Sequence, residues 1–195
     1  MTISIRPATQ ADASDMAVLV DIAGHGLAAY FWEKGRGPDS PDSVLEIGRL
    51  RALRDEGSFS WRNAFMAELD GRVAGMLTGY MQPDDFDTSE FAELGPLIRP
   101  LAELEAMAPS TWYVNVLGTH AEFRGQGVGT ALLRKADQIA SEAGAKGLSV
   151  IVENSNAGAR ALYEREGYAV TGERDFVAFN ERGKSTKWQL LTKAL

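Results

Sequence analysis

Residues 123–136, FRGQGVGTALLRKA, place three glycines in five positions directly before a strongly helix-forming run. Glycine weakens helices, yet it tolerates unusual backbone angles and lets a ligand approach the main chain. A helix starting near Gly127 leaves its first N–H groups unpaired at the positive end of the helix dipole, where an anion fits. Gly125, Gly127 and Gly129 carry no side chain to hold a phosphate away, and Arg124 adds a fixed positive charge with a planar fork of donors. A pyrophosphate is the natural guest; a plain chain reversal is the competing explanation. Other chemistry is sparse. With no cysteine there is no disulfide, thiolate ligand or cysteine nucleophile, and only His25 and His120 remain, so no metal site is expected.

Two phosphate-binding patterns fail on spacing. The P-loop order G-x-x-x-x-G-K-[ST] is absent, because Gly183-Lys184-Ser185 has no glycine five residues earlier. The dinucleotide fingerprint G-x-G-x-x-G needs a glycine or alanine where Thr130 stands. Glu153 could imitate its ribose-binding acid, but the unit sits late in the chain between antiparallel hairpins.

The elements that must carry the loop follow from periodicity and turn chemistry. Ser4–Arg6 reads as a strand. Thr9 with Asp12 caps a helix from about Gln10, with Met16, Leu19, Val20 and Ala23 on its apolar face, interrupted at Gly24-His25-Gly26. A second helix is predicted over 43–55, with Val44, Ile47, Leu50 and Leu53 or Ala52 inward. Asp70-Gly71 separates two apolar runs and predicts a hairpin. TWYVNVL (111–117) reads as a strand. The helix after the loop presents Val128, Leu132, Ala136, Ile139 and Ala143 on one face and ends at Gly144 and Gly147. LSVIV (148–152), a helix over 156–165, and strands within 169–179 and 185–192 complete the chain. Strand, loop, helix, strand in that order demands a crossover, so the strands on either side of the loop must be parallel neighbours. The expected class is α/β of mixed (α+β) character: a mostly antiparallel sheet with a central parallel pair and helices on both faces.

At 195 residues, one domain spanning 1–195 is expected. No apolar run reaches membrane-spanning length and no signal-like segment opens the chain, so cytoplasmic localisation and no membrane partner are expected. A net charge of −7 argues against a nucleic-acid partner. The acidity is concentrated. Residues 83–109 hold seven carboxylates against Arg99 alone, a net −6. This acidic insertion reads either as a solvated surface excursion or as a lid that favours cationic substrates.

Arg124-x-x-Gly127-x-Gly129, after a strand and opening a helix, resembles the pyrophosphate loop of the GNAT acyltransferase superfamily. Downstream, NSNAGARALYEREGY resembles that family's N-x-x-A-x-x-L-Y-x-x-x-G-F/Y pattern through Asn156, Ala159, Leu162, Tyr163, Gly167 and Tyr168. The likeness is strong from about Trp112 to Tyr168 and does not extend to the aromatic segment near residue 30 or to the acidic insertion. It implies a GNAT-like fold and an N-acetyltransferase using acetyl-CoA as co-substrate. Main-chain groups of Leu117 and Thr119 would pair with pantetheine. Arg124, Gly125, Gln126, Gly127, Val128, Gly129 and Thr130 would hold the pyrophosphate. Asn156 would lie against the pantetheine, and Tyr163 near the thioester sulfur.

Tyr163 also has a case from chemistry alone. A departing thiolate needs a proton, and a neutral phenol can supply one, help typically worth about 10²- to 10⁴-fold. The acceptor is expected to be a primary amine of a small molecule or peptide. At a pKa near 10.4 only about one molecule in 2,500 is neutral at pH 7, roughly 4.6 kcal/mol against attack. Many relatives use a glutamate on the strand before the loop; here Tyr113, Val114, Asn115 and Val116 offer none. His120, Glu33 and His25 are candidate bases, and a water relay past Asn115 is an alternative. Attack would be direct, since no cysteine can carry the acyl group. Tyr30, Phe31 and Trp32, with Glu33, are candidate acceptor contacts, core packing being the other explanation for the rings. The missing carboxylate keeps a second reading open, an acyl-CoA-binding regulatory module without turnover. Oligomeric state, a homodimer included, does not follow from the sequence.

Overall fold

The computed structural model describes residues 2–179 and 184–195. Seven strands form a mostly antiparallel sheet with one parallel pair, accompanied by helices, as the pattern of elements demands. The chain divides into two compact units, Met1–Gly79 with Asn115–Lys135, and Tyr80–Val114 with Ala136–Leu195.

In the first unit the strand order is β1 (Ile3–Pro7), β2 (Ala64–Leu69), β3 (Arg72–Met81, as far as Gly79) and β4 (Trp112–Thr119, from Asn115). β1 and β2 are antiparallel from Ile3↔Leu69 to Pro7↔Phe65, and β2 and β3 form the hairpin. Asp70 and Gly71 both take positive φ, 50° and 78°, as a tight turn matching strand twist requires. Three helices follow β1 in sequence: α1 (Ala13–Ala23), α2 (Leu27–Lys34) and α3 (Val44–Ala52). Met16, Leu19, Val20, Trp32, Met66, Met76 and Val116 make their shared core.

The helix expected from Gln10 begins as a single 3₁₀ turn, Gln10–Asp12, before α1. Asp12 Oδ2 accepts from the Thr9 N–H at 2.7 Å, the reciprocal half of a capping box. The same carboxylate receives Arg6 at 2.7 and 2.9 Å, while Arg6 Nε reaches Glu68 at 2.7 Å. Arg6, backed by the Thr9 donors and opposed by burial, lowers the Asp12 pKa to about 2. α3 stops at Ala52, short of the expected 55, and Leu50 points outward, 42% exposed. Six residues at ~100° each put Leu50 about 120° from Val44, off the inward face that Gly48 and Ala52 occupy.

The second unit orders β4 (to Val114), β5 (Gly147–Glu153), β7 (Lys187–Ala194) and β6 (Ala169–Asp175). Trp112, Tyr113 and Val114 pair in parallel with Leu148, Ser149 and Val150, the crossover expected from the sequence. β7 is antiparallel to both β5 and β6. α4 (Arg99–Glu105), within the acidic insertion, packs on β6 and β7. Its Leu104 is fully buried, close to Gly172. α6 (Ala157–Arg165) follows β5.

α5 (Val128–Glu142) runs from the first unit into the second. Its buried residues are Val128, Leu132, Leu133, Ala136 and Ala140, whereas Ile139 is half-buried and Ala143 exposed. The expected stripe drifted: steps of four hold the face from 128 to 140, and Ala143 falls past the last turn. Gly144, at φ 71°, ends the helix, while Gly147 belongs to β5. The expected final strands are shortened to Asp175 and shifted to 187–194, and residues 180–183 lie outside the described residues. Among the described residues no helix is long and apolar enough to cross a membrane.

Candidate active site

The glycine loop lies in the first unit, between β4 and α5. Gly125 and Gly127 take φ of 73° and 86°, angles that side chains with a Cβ resist. A Cβ at Gly125 would meet nothing within 4 Å, and one at Gly127 only Ile3 Cδ1 at 3.7 Å. Conformation, not crowding, therefore requires glycine here, and the space above the main chain is open. Local bonds fix the loop. Arg124 Nε donates to Thr119 O at 3.3 Å, Gln126 Nε2 to Glu122 O at 2.8 Å, and Ala131 N to Gly127 O at 3.0 Å, the opening turn of α5. Arg124 and Gln126 are exposed, Val128 is buried, and Gly129 and Thr130 stand in the first turn.

Two glycines that the sequence reading passed over hold this junction together. A Cβ at Gly118 would lie 2.7 Å from Leu19 O in α1, and one at Gly75 would lie 2.6 Å from Gly118 O and 2.9 Å from Val128 Cγ1. β3, β4 and α1 thus approach at backbone contact distance, and the Val128 side chain at the start of α5 lies against β3. Along β4, Asn115, Leu117 and Thr119 alternate as half-buried residues with buried Val116 and Gly118, so they share one face. Asn115 Nδ2 lies 3.5 Å from Ser58 O.

Of the aromatic triplet, Trp32 is 2% exposed and fills the core: a Cβ at Gly48 would come 2.5 Å from its ring. Tyr30 and Phe31 are half-buried and meet edge to face at 5.5 Å, with Lys34 Nζ 4.4 Å from the Tyr30 centroid. Glu33 is exposed and pairs with Arg36 at 2.7 Å. His25 is exposed in the α1–α2 turn, and His120 N donates to Ala74 O.

In the second unit Asn156 caps α6, its Oδ1 accepting from Ala159 N at 3.2 Å. Tyr163, on the buried side of α6, is 5% exposed and 5.6 Å from the Tyr168 ring. Burial holds its phenol pKa above the ordinary value, so it is a neutral proton donor at any physiological pH. A group missing from the sequence reading lies in the same unit. Glu105, at the end of α4, is half-buried and accepts from Gln82 Nε2 at 3.1 Å. Burial raises its pKa, and Gln82 partly offsets that. Tyr113 lies 5.7 Å from Tyr80, ring to ring; its phenol is raised by burial first, then by Glu105, Tyr80 and Tyr163. One faint sequence signal existed: Glu105 stands four residues after Leu101 and directly after Leu104, so helical spacing sets it beside apolar residues.

Three solved structures resemble this fold. An acetyltransferase aligns at TM-score 0.67 with 20% identity over 98% of each chain. An N-acetyltransferase from Staphylococcus aureus Mu50 aligns at 0.62 with 20% identity, covering 97% of this chain and 99% of that one. The ribosomal-protein-S18-alanine N-acetyltransferase from Escherichia coli aligns at 0.58 with 17% identity, covering 99% and 94%. At such identities the likeness concerns the fold. No curated protein matches the sequence. The model of the acetyltransferase (GNAT) family matches residues 27–168, drawn from both units, and the chain belongs to that family. It is therefore an acyltransferase.

Proposed function

We propose that the protein transfers the acetyl group of acetyl-CoA to a primary amine of a small molecule or peptide by direct attack. The observation that carries this reading is the pair of positive-φ glycines, Gly125 and Gly127, opening a 15-residue helix beside Arg124 with free space above them. Unpaired N–H groups there favour a dianionic linkage without needing a metal ion. Leu117 and Thr119 on β4 offer main-chain groups to pantetheine, and residues 124–130 take the pyrophosphate. Asn156 contributes its amide toward pantetheine while capping α6, and Tyr163 donates the proton that the leaving thiolate takes up. Tyr30, Phe31 and Glu33 are the acceptor-side residues, with Trp32 as the packed support beneath them. Asn115 orders a water in the path of the amine's proton.

The test is calorimetric titration of acetyl-CoA into wild type and Gly127→Glu. Wild type binds, whereas the variant sets a carboxylate and a strained φ beside the phosphates and should lose affinity at least tenfold, about 1.4 kcal/mol. Equal affinities would remove the loop from the site.

A further inference from the structure

A proton donor must keep its hydroxyl where the leaving group will be, and a tyrosine side chain can turn about two bonds. A displacement of about 1 Å at such a group can cost roughly 10²-fold in rate. Tyr163 stands in the last turn of α6, where helices fray, so the way this helix ends decides how firmly its ring is held. Gly167, at φ 91°, takes the left-handed conformation just past the cap residue Glu166. Its N–H donates to Glu164 O at 3.1 Å, and the Tyr168 N–H reaches back to Tyr163 O at 3.0 Å. These two bonds around a left-handed glycine are the Schellman ending of a helix, which brings the residue after the glycine against the residue five before it. Here both are tyrosines. Their rings lie 5.6 Å apart, tilted by 57°, and both are buried. The second ring is itself held. Lys193 of β7 donates to both oxygens of Asp137 in α5 at 2.8 Å, and its Nζ stands 5.8 Å from the Tyr168 centroid. Its Cε and Cδ cover Gly167, 3.7 and 3.8 Å from where a Cβ would stand. The Tyr168 hydroxyl, by contrast, is buried with no hydrogen-bond partner among the described residues. A buried hydroxyl without a partner lowers stability, so this position uses the flat ring and not the oxygen.

We infer that Tyr168 is a positioning residue: presented by the Gly167 turn, its ring fixes the orientation of the Tyr163 phenol for proton transfer. The inference rests on the N-acetyltransferase reading above, in which Tyr163 protonates the leaving thiolate. It gives the spacing of Tyr163, Gly167 and Tyr168 a physical reason. A Schellman ending couples the third-last residue of a helix to the second residue past its cap, so donor and support must stand five residues apart with glycine just before the support, as they do here. Asp137 and Lys193 act one step further out, closing the far side of the supporting ring.

The experiment measures thiol release with an amine panel, and acetyl-CoA affinity by titration calorimetry, for wild type, Tyr163→Phe, Tyr168→Phe, Tyr168→Leu and the double variant Tyr163→Phe/Tyr168→Leu. Tyr168→Leu removes the flat face and should lower kcat about tenfold, no further than Tyr163→Phe does, with acetyl-CoA affinity within about twofold of wild type. Tyr168→Phe restores the face and should bring kcat back to within about twofold of wild type, with a melting midpoint at or above it, because the unpaired hydroxyl is gone. With Tyr163→Phe already in place no phenol remains to be aimed, so adding Tyr168→Leu should change kcat by less than about twofold. Tyr168→Leu at the wild-type rate, a loss that persists undiminished in the Tyr163→Phe background, or Tyr168→Phe as impaired as Tyr168→Leu overturns the inference and leaves the activity standing. Tyr163→Phe with unchanged turnover removes the proton donor, and the inference goes with it. Should Tyr168→Leu fail to fold, Tyr168→Met keeps apolar volume without a flat face and is judged by the same criteria.

Discussion

Gly118→Ala tests whether the glycine loop depends on the backbone contact beneath it. The added Cβ would stand 2.7 Å from Leu19 O and 3.3 Å from both Leu19 C and Leu19 Cβ. Comfortable heavy-atom contacts lie near 3.5–4.0 Å, so α1 and β4 must separate by roughly 0.8–1.3 Å. The obstacle is helix backbone in the middle of α1, and Leu19 is fully buried, so no rotamer change relieves it. Overpacking of this kind costs about 1–3 kcal/mol. For a chain of this length each kcal/mol moves the melting midpoint about 2–4 °C, which gives a drop of about 4–8 °C for a mid-range cost. The same shift displaces the strand bearing Leu117 and Thr119, so acetyl-CoA affinity should fall in parallel. Scanning calorimetry and titration calorimetry read the two effects. Gly158→Ala is the control: a Cβ added at this exposed position of α6 meets nothing within 4 Å, and helix propensity makes it neutral or stabilising by up to about 1 kcal/mol. A Gly118→Ala midpoint within roughly 1 °C of wild type, or an equal loss in Gly158→Ala, would refute the close-approach argument.

Tyr163→Phe should lower kcat at least about tenfold while acetyl-CoA affinity stays nearly constant, since the ring packing against Tyr168 survives; unchanged turnover would take the phenol out of the reaction. Asp12→Asn probes the Arg6 network through pH. The folded pKa is depressed from 3.8 to about 2, so the stabilisation is complete above pH ~4 and disappears as pH falls through ~2. Full conversion would give about 2.4 kcal/mol; with Arg6 37% exposed, about 1 kcal/mol is expected. The wild-type advantage in melting temperature should be present at pH 5 and close toward pH 2, and a gap constant over that range would contradict the assignment.

Sequence by itself determined what local chemistry determines. The Asp70-Gly71 hairpin, the glycine loop at 125 and 127 and the parallel crossover from β4 to β5 depend on backbone angles and chain connectivity. These act over a few residues or through connectivity, so spacing alone reveals them. Tertiary structure decided which way each apolar stripe turned and which polar groups left water. Leu50 faces out and Trp32 faces in because partner surfaces select the face, and Gly48 makes room for the Trp32 ring. Gly118 looks ordinary in a strand until the Leu19 carbonyl lies against it. Glu105 is one of seven carboxylates in an acidic run, and only packing of α4 sets it beside Gln82, 23 residues earlier. Desolvation is a property of what surrounds a group in space, and neighbours in sequence carry no record of it.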